Sequence, residues 1–234
     1  MILAGGLGTR LGELTKAVPK PMVPVAGKPY LEHQIAELRR QGIADVLLLV
    51  GYLGDRIERH FGDGSGFGLR VRYQREETPL GTGGGLREAA DRLDESFLLV
   101  YGDSFLPIDY RAVHAALAGD PRAVGVAVAY DNAEPTSVPN NIALDPDGYI
   151  ALYAKDAVPT RSLRYVEAGV LAFRKSVVEL MAPGGPVSLE KEVFPILVAR
   201  RQLRGFVTRE RFYDIGTPDR LAAIERMFSG AGAT

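Results

Sequence analysis

Apolar residues run without polar interruption at Val46-Leu47-Leu48-Leu49-Val50 and at Phe97-Leu98-Leu99-Val100-Tyr101. Strands buried on both faces of a parallel sheet carry this pattern. Ala123 to Ala129 predicts a further strand. Leu69-Arg70-Val71-Arg72-Tyr73 alternates instead, as a strand nearer a sheet edge does. Between the strands the period turns helical. Leu31, Ile35 and Leu38 share one helix face, opened near Pro29 and stopped by Gly42. Shorter helices are expected up to about His60, from Leu86 to Leu93 and from Tyr110 to Leu117, with a loop from Gly62 to Gly68.

The second half of the chain is patterned differently. Asn141-Ile142-Ala143-Leu144 and Tyr149-Ile150-Ala151-Leu152-Tyr153 flank Asp145-Pro146-Asp147-Gly148, a hairpin with a turn. Arg164 to Phe173 reads as a strand interrupted at Glu167-Ala168-Gly169. Ser188 is placed to cap a helix running to about Arg201, and Gly205-Phe206-Val207 to form a short strand. Thr217 and Pro218 are suited to open a last helix ending near Phe228. Alternating strands and helices predict an α/β protein with a three-layer, Rossmann-like, doubly wound mixed sheet and a small β insert. Residues 1–228 are expected to form a single domain, with halves of about 1–130 and 131–228. Residues 229–234 are expected to form a loose tail.

Chemistry is concentrated where strands end. Leu3-Ala4-Gly5-Gly6-Leu7-Gly8-Thr9-Arg10-Leu11 breaks a short apolar run into a glycine-rich turn, and Pro19-Lys20-Pro21 follows. Glycines let backbone N–H groups approach a ligand, and Arg10 and Lys20 add cations, as a polyphosphate site requires. The turn is neither of two familiar glycine motifs. The Rossmann fingerprint would need a glycine at Leu11, and the Walker pattern a Lys-Ser or Lys-Thr pair after its last glycine. A second glycine-rich turn, Glu76-Glu77-Thr78-Pro79-Leu80-Gly81-Thr82-Gly83-Gly84-Gly85, precedes a helix. Gly102-Asp103 closes a buried strand, and Asp214 lies in Phe212-Tyr213-Asp214-Ile215-Gly216. Asp103 and Asp214 are candidates for a shared Mg²⁺ site, since Mg²⁺ commonly takes one or two carboxylates with phosphates and water.

Gly6-Leu7-Gly8-Thr9-Arg10-Leu11 with Val18-Pro19-Lys20-Pro21 resembles the signature of the sugar-1-phosphate nucleotidyltransferases. The resemblance runs from Met1 to about Phe228 and is closest to the short members acting on manno-heptose 1-phosphates. It implies an enzyme that condenses a nucleoside triphosphate with a sugar 1-phosphate, releasing pyrophosphate, with Mg²⁺ as cofactor. It implies catalytic roles for Arg10 and Lys20, and metal ligation by Asp103 and by Asp214 of Tyr213-Asp214-Ile215-Gly216-Thr217-Pro218. Nucleotide binding is expected at Leu3, Ala4, Gly5, Gly6, Gly8, Thr9, Glu76, Glu77, Pro79, Gly81, Thr82 and Gly102. Sugar-phosphate binding is expected at Asn141, Lys155, Glu167 and Gly169. The acidic residue that the family places before its lysine is replaced here by Ala154.

The segment Glu77 to Gly84 resembles that of guanylyltransferases, and a carboxylate suits the two donors on guanine's edge. GTP is therefore the expected nucleotide. A glutamate also accepts the single N3–H of uracil or thymine, so uridylyl or thymidylyl transfer stays open. A glycosyltransferase of similar fold would usually carry Asp-x-Asp where this chain has Asp103-Ser104-Phe105. A sensor that had lost turnover would lack Arg10, Lys20 or an aspartate, and all are present.

Charge narrows the partners. The 28 basic and 29 acidic side chains leave a net charge of −1, against a nucleic-acid binder, which shows a basic excess. There is no cysteine, so a thiolate nucleophile and Cys-ligated zinc are excluded. No apolar run is long enough to span a membrane. The expectation is a cytoplasmic monomer or homodimer whose partners are the nucleotide and the sugar 1-phosphate. The attacking phosphate is already ionised, so His33, His60 and His114 are not needed as catalytic bases.

Overall fold

A computed structural model describes residues 1–155 and 162–230. In chain order the chain begins with β1 (Ile2–Leu3), β2 (Pro24–Val25), β3 (Lys28–Pro29), α1 (Tyr30–Arg40), β4 (Asp45–Val50), α2 (Gly54–Phe61) and β5 (Arg70–Arg75). It continues with α3 (Gly81–Glu88), β6 (Ser96–Tyr101), β7 (Ser104–Phe105), α4 (Tyr110–Ala118) and β8 (Gly125–Tyr130). The rest is β9 (Ile142–Leu144), β10 (Ile150–Tyr153), β11 (Val166–Arg174), α5 (Phe194–Ala199), β12 (Leu203–Thr208), β13 (Tyr213–Asp214) and α6 (Pro218–Phe228). The class is mixed α/β, as expected. The described residues divide into two compact units, one of 1–79, 101–105 and 213–230, the other of 80–100, 106–155 and 162–212.

In the first unit β1, β4 and β5 pair in parallel, with Ile2 opposite Leu48 and Leu48 opposite Tyr73. The continuous apolar run of β4 is buried from Val46 to Val50, and strands pair with it on both sides. β5 has a single partner and keeps charged side chains, which explains its alternation. β7 and β13 pair antiparallel, with Ser104 opposite Asp214. Beneath them Val25, Tyr30, Phe105, Ile215 and Ile224 form a buried cluster. Pro29 stands at the N-cap of α1, one residue before the helix rather than in its first turn. Thr217 is the N-cap of α6, yet its side chain makes no capping bond; Pro218 alone sets the first turn. Of the expected loose tail, residues 231–234 lie outside the described residues.

In the second unit β8 is paired on both sides, parallel to β12 and antiparallel to β11, and all six of its residues are buried. β11 also pairs antiparallel with β6, Leu171 opposite Leu99. The interruption expected at Glu167-Ala168-Gly169 is a register shift between Glu167 and Leu171 on the β8 side, a bulge of the kind that re-aims side chains. β9 and β10 form the expected hairpin, closed by the Gly148 N–H donating to Asp145 O at 3.0 Å. β12 is longer than the three residues the pattern suggested.

One expectation fails here. The second glycine run is not a loop before a helix at Leu86; it is the helix itself, from Gly81 to Glu88, with a 3₁₀ turn at Ala90–Arg92 in place of its last turn. Glycine is a poor helix former, but packing overrides propensity. A Cβ on Gly83 would lie 2.9 Å from Val187 Cγ1, and one on Gly81 2.6 Å from Val187 O. The bare helix face is what lets the Val187 backbone come this close. As expected, Ser188 caps the following helical segment, whose first turn, Leu189–Val193, is π-helical before α5 begins. Its hydroxyl accepts from the Lys191 N–H at 3.2 Å.

Candidate functional site

In the first unit the Gly5–Gly8 turn leaves β1 and enters a 3₁₀ segment, Thr9–Thr15. Gly8 has φ +66, a left-handed conformation that glycine tolerates best. Space gives a second reason for glycine, because a Cβ there would lie 2.9 Å from both Lys20 Cβ and Thr15 Cγ2. The turn is thus moulded on Lys20. Thr15, buried, holds it shut by donating its hydroxyl to Gly8 O at 3.0 Å and Gly12 O at 3.3 Å. Sequence reasoning missed Thr15; its only signal is a small hydroxyl residue seven positions after Gly8.

Lys20 is buried, and its ammonium is bonded and ion-paired to Asp103 Oδ2. Asp103 follows Gly102, where a side chain would collide with the Leu3 carbonyl oxygen. Glycine at 102 is therefore explained by the close approach to β1. Gln34, buried on α1, donates to Tyr101 O at 2.8 Å and Ser104 O at 2.6 Å. It clamps the backbone on either side of Asp103. Gln34 was also missed, because a polar residue within an amphipathic helix reads as its solvent face.

The second aspartate lies close by in the fold. Ile215 N–H donates to Asp103 O at 3.0 Å, and Asp214 faces Ser104 across the β7–β13 pair. Asp214 accepts from the Gly216 N–H at 2.6 Å and from Arg220 at 3.2 and 3.3 Å. Arg10 is exposed, and its Nη2 lies 3.6 Å from where a Cβ of Gly216 would stand. This unit therefore brings together Gly5–Gly8, Thr9, Arg10, Lys20, Gly102, Asp103 and Asp214. Leu3 and Ala4 continue β1, with Ala4 N–H bonded to Leu49 O at 2.8 Å. Glu76 extends β5 through its N–H to Val50 O at 2.9 Å and is half-buried; Glu77 and Pro79 are exposed.

The donor set suits a hard divalent cation. Two carboxylates on paired strand ends leave the remaining positions to phosphate and water, as Mg²⁺ prefers. No group of three or more His, Cys, Asp or Glu that could cage a metal occurs among the described residues. Lys20 and Arg220 balance the two carboxylates.

The second unit gathers the other candidates. Asn141 Oδ1 accepts from Glu167 N–H at 2.9 Å, and Glu167 Oε1 accepts from Gly169 N–H at 2.7 Å. The β11 bulge thus ties these three residues together. Lys155 is ion-paired to Glu190 Oε1 at 2.8 Å. Glu190 Oε2 accepts from the hydroxyls of Thr82, at 2.8 Å, and Ser188, at 2.9 Å. Thr82, expected at the nucleotide, thus spends its hydroxyl on Glu190 and accepts from Leu189 N–H at 2.9 Å. Burial opposes ionisation of Glu190, but the Lys155 ammonium and the hydrogen bonds outweigh it and hold the carboxyl below its ordinary value. Gly81 is exposed at the start of α3.

The histidines have structural partners. His33 bonds Val25 O at 2.9 Å and stacks on Phe228, His60 pairs with Glu32, and His114 with Ser96. Among the described residues no helix is long and apolar enough to cross a membrane.

The family described as "Nucleotidyl transferase" matches residues 1–228. A "Mannose-1-phosphate guanylyltransferase" of Mycobacterium tuberculosis is 34% identical over 94% of this chain, which spans 61% of that protein's length. A "D-glycero-alpha-D-manno-heptose 1-phosphate guanylyltransferase" of Aneurinibacillus thermoaerophilus is 29% identical over 94% of this chain and 93% of its own. The crystal structure of HddC from Yersinia pseudotuberculosis superposes with a TM-score of 0.80 at 26% identity, covering 97% of both chains. HddC has also been solved complexed with GMP-PN.

Proposed function

The chain belongs to the nucleotidyl transferase family, and from that premise we propose that it joins GTP to a mannose or manno-heptose 1-phosphate, giving a GDP-sugar and pyrophosphate. An oxygen of the sugar phosphate attacks the α-phosphorus of GTP, forming a P–O bond, while the bond to the bridging oxygen of the β-phosphate breaks and pyrophosphate leaves. No proton need be moved to start the step. The observation that carries the reading is the glycine turn moulded on Lys20, whose ammonium lies on Asp103.

Each residue has a task set by its surroundings. The Gly5–Gly8 backbone offers N–H groups to the triphosphate, and exposed Arg10 meets the charge that grows on the leaving pyrophosphate. Lys20, held by Asp103 and the turn, supplies a fixed positive charge with little reorganisation. Asp103 and Asp214 would hold Mg²⁺. Bound there, the ion would neutralise phosphate charge and draw electrons from the α-phosphorus. Glu76 or Glu77 reads the base. Lys155 binds the sugar phosphate, and Glu167, fixed by the bulge, accepts a sugar hydroxyl.

Pyrophosphate release with each common nucleoside triphosphate against glucose, mannose and manno-heptose 1-phosphates tests this. The expected result is turnover with GTP and a manno-configured sugar phosphate. Preference for UTP or dTTP would overturn the base assignment, and no release with any pair would overturn the reaction.

A further inference from the structure

The family's lysine lacks its usual acidic neighbour here, since Ala154 precedes Lys155. A carboxylate still reaches that ammonium, from a residue far along the chain. We propose that Glu190 is the positioning residue for Lys155, holding its ammonium for the phosphate of the sugar 1-phosphate. The inference rests on the reading of Lys155 given above. Burial makes the case. The Glu190 side chain is only 4% exposed, whereas that of Lys155 is 41% exposed. A carboxylate this buried stays ionised only where it is paired and hydrogen-bonded. Its Oε2 is fixed by the Thr82 and Ser188 hydroxyls, and its Oε1 takes the ammonium.

The two partners therefore differ in freedom. Glu190 is anchored from three directions, by α3 through Thr82, by the turn before α5 through Ser188, and by Lys155. A lysine left to itself is a long chain with many rotamers. Anchored at its tip, it presents its remaining N–H donors from a fixed place, since an ammonium carries three donors and Oε1 takes one. Thr82 also lies at the start of the glycine helix expected to serve the nucleotide. Glu190 thus ties the lysine to that helix by side-chain bonds within one unit.

The test is a double-mutant cycle on the intact protein, with Lys155→Ala, Glu190→Gln and the double variant. KM for the sugar 1-phosphate, KM for GTP and kcat are measured, together with melting. Glu190→Gln keeps the size and removes the charge. The expected result is a KM for the sugar phosphate raised by about tenfold, with KM for GTP within about twofold of the parent. Adding Glu190→Gln to Lys155→Ala should then cost little more, since the residue acts through the lysine. Glu190→Asp, which keeps the charge, should recover part of the loss, and it serves as the variant to read should Glu190→Gln not fold. If Lys155→Ala leaves the sugar-phosphate KM unchanged, the lysine assignment itself is wrong and the proposal falls with it. If Lys155→Ala raises that KM but the Glu190 variants only lower melting or kcat, or add independently, Glu190 is structural and the proposal alone is overturned.

Discussion

Replacing Gly8 by alanine tests whether the phosphate turn is built around Lys20. The substitution acts twice. It forces a side chain onto φ +66, ψ 23, which costs about 1–2 kcal/mol for an L residue. It also sets a Cβ 2.9 Å from Lys20 Cβ and from Thr15 Cγ2. Cβ atoms cannot swing aside as a side-chain tip can, so the main chain must shift, at about 1–3 kcal/mol. Gly148→Ala is the matched control. Its φ is +85, but the nearest atom to a Cβ there is Arg204 Nη2 at 3.7 Å, an ordinary separation. It bears the backbone cost alone. Gly8→Ala should therefore lose about 1–3 kcal/mol more than Gly148→Ala, read as about 2–4 °C of melting temperature per kcal/mol for a chain of this size. The rate should separate the two further. Moving Lys20 by about 1 Å costs on the order of a hundredfold in kcat, whereas Gly148→Ala should keep the parent rate per folded molecule. Equal melting shifts and equal rates for the two variants would refute the argument that the turn is packed on the lysine.

Asp103→Asn and Asp214→Asn should each lower kcat by orders of magnitude, and EDTA should abolish turnover until Mg²⁺ is restored; full turnover in EDTA would remove the metal from the scheme. Glu76 is half-buried and tied to Val50, whereas Glu77 is exposed, so Glu76→Gln should lower kcat/KM for GTP by roughly tenfold while Glu77→Gln is tolerated. Loss in both, in neither, or only in Glu77→Gln would show that Glu76 is not the reader. Glu190 has a lowered pKa, so its charge stabilises the fold above the ordinary carboxylate range and ceases to as pH falls through the folded value. The stability gap between the parent and Glu190→Gln should therefore narrow as pH falls below the ordinary carboxylate range in denaturant titrations, and a gap that widens in acid would contradict the assignment.

Legibility in the sequence followed the range of the interactions. β4 was readable because a strand covered on both faces must be apolar on both, a purely local signature. The glycine turn, Lys20 and Asp103 were readable for the same reason, each sitting in a short motif. The helix α3 was misread because glycine's poor helix propensity is local, while its compensation, the close approach of Val187, comes from about a hundred residues downstream. Glu190 was invisible for a related reason. A carboxylate just after Ser188 already has a local explanation at the start of a helical segment, and nothing nearby points to Lys155 or Thr82. Thr15 and Gln34 act on backbone oxygens, and a sequence carries no mark of which carbonyls need a donor.

Each unit holds one lysine–carboxylate pair among the candidate residues, and the two pairs differ in which member is buried. In Lys20–Asp103 the lysine side chain is 10% exposed and the aspartate 32%. In Lys155–Glu190 the exposures are reversed, 41% for the lysine and 4% for the glutamate. In each pair a ligand reaches the more exposed member more readily. The first presents a carboxylate, the ligand a divalent cation takes; the second presents an ammonium, the donor a phosphate takes. In both, the more buried partner shares one physical role, which for Lys20 stands beside the charge it supplies to the transfer. It neutralises and orients the exposed charge, so that a charge needed for binding is held in place without being left unpaired in a low-dielectric interior. Exchanging cation and anion at either pair would preserve the net charge of −1 and the pairing itself, yet present the wrong sign to the ligand. What these positions require is therefore not an ion pair as such but a particular order of burial within it.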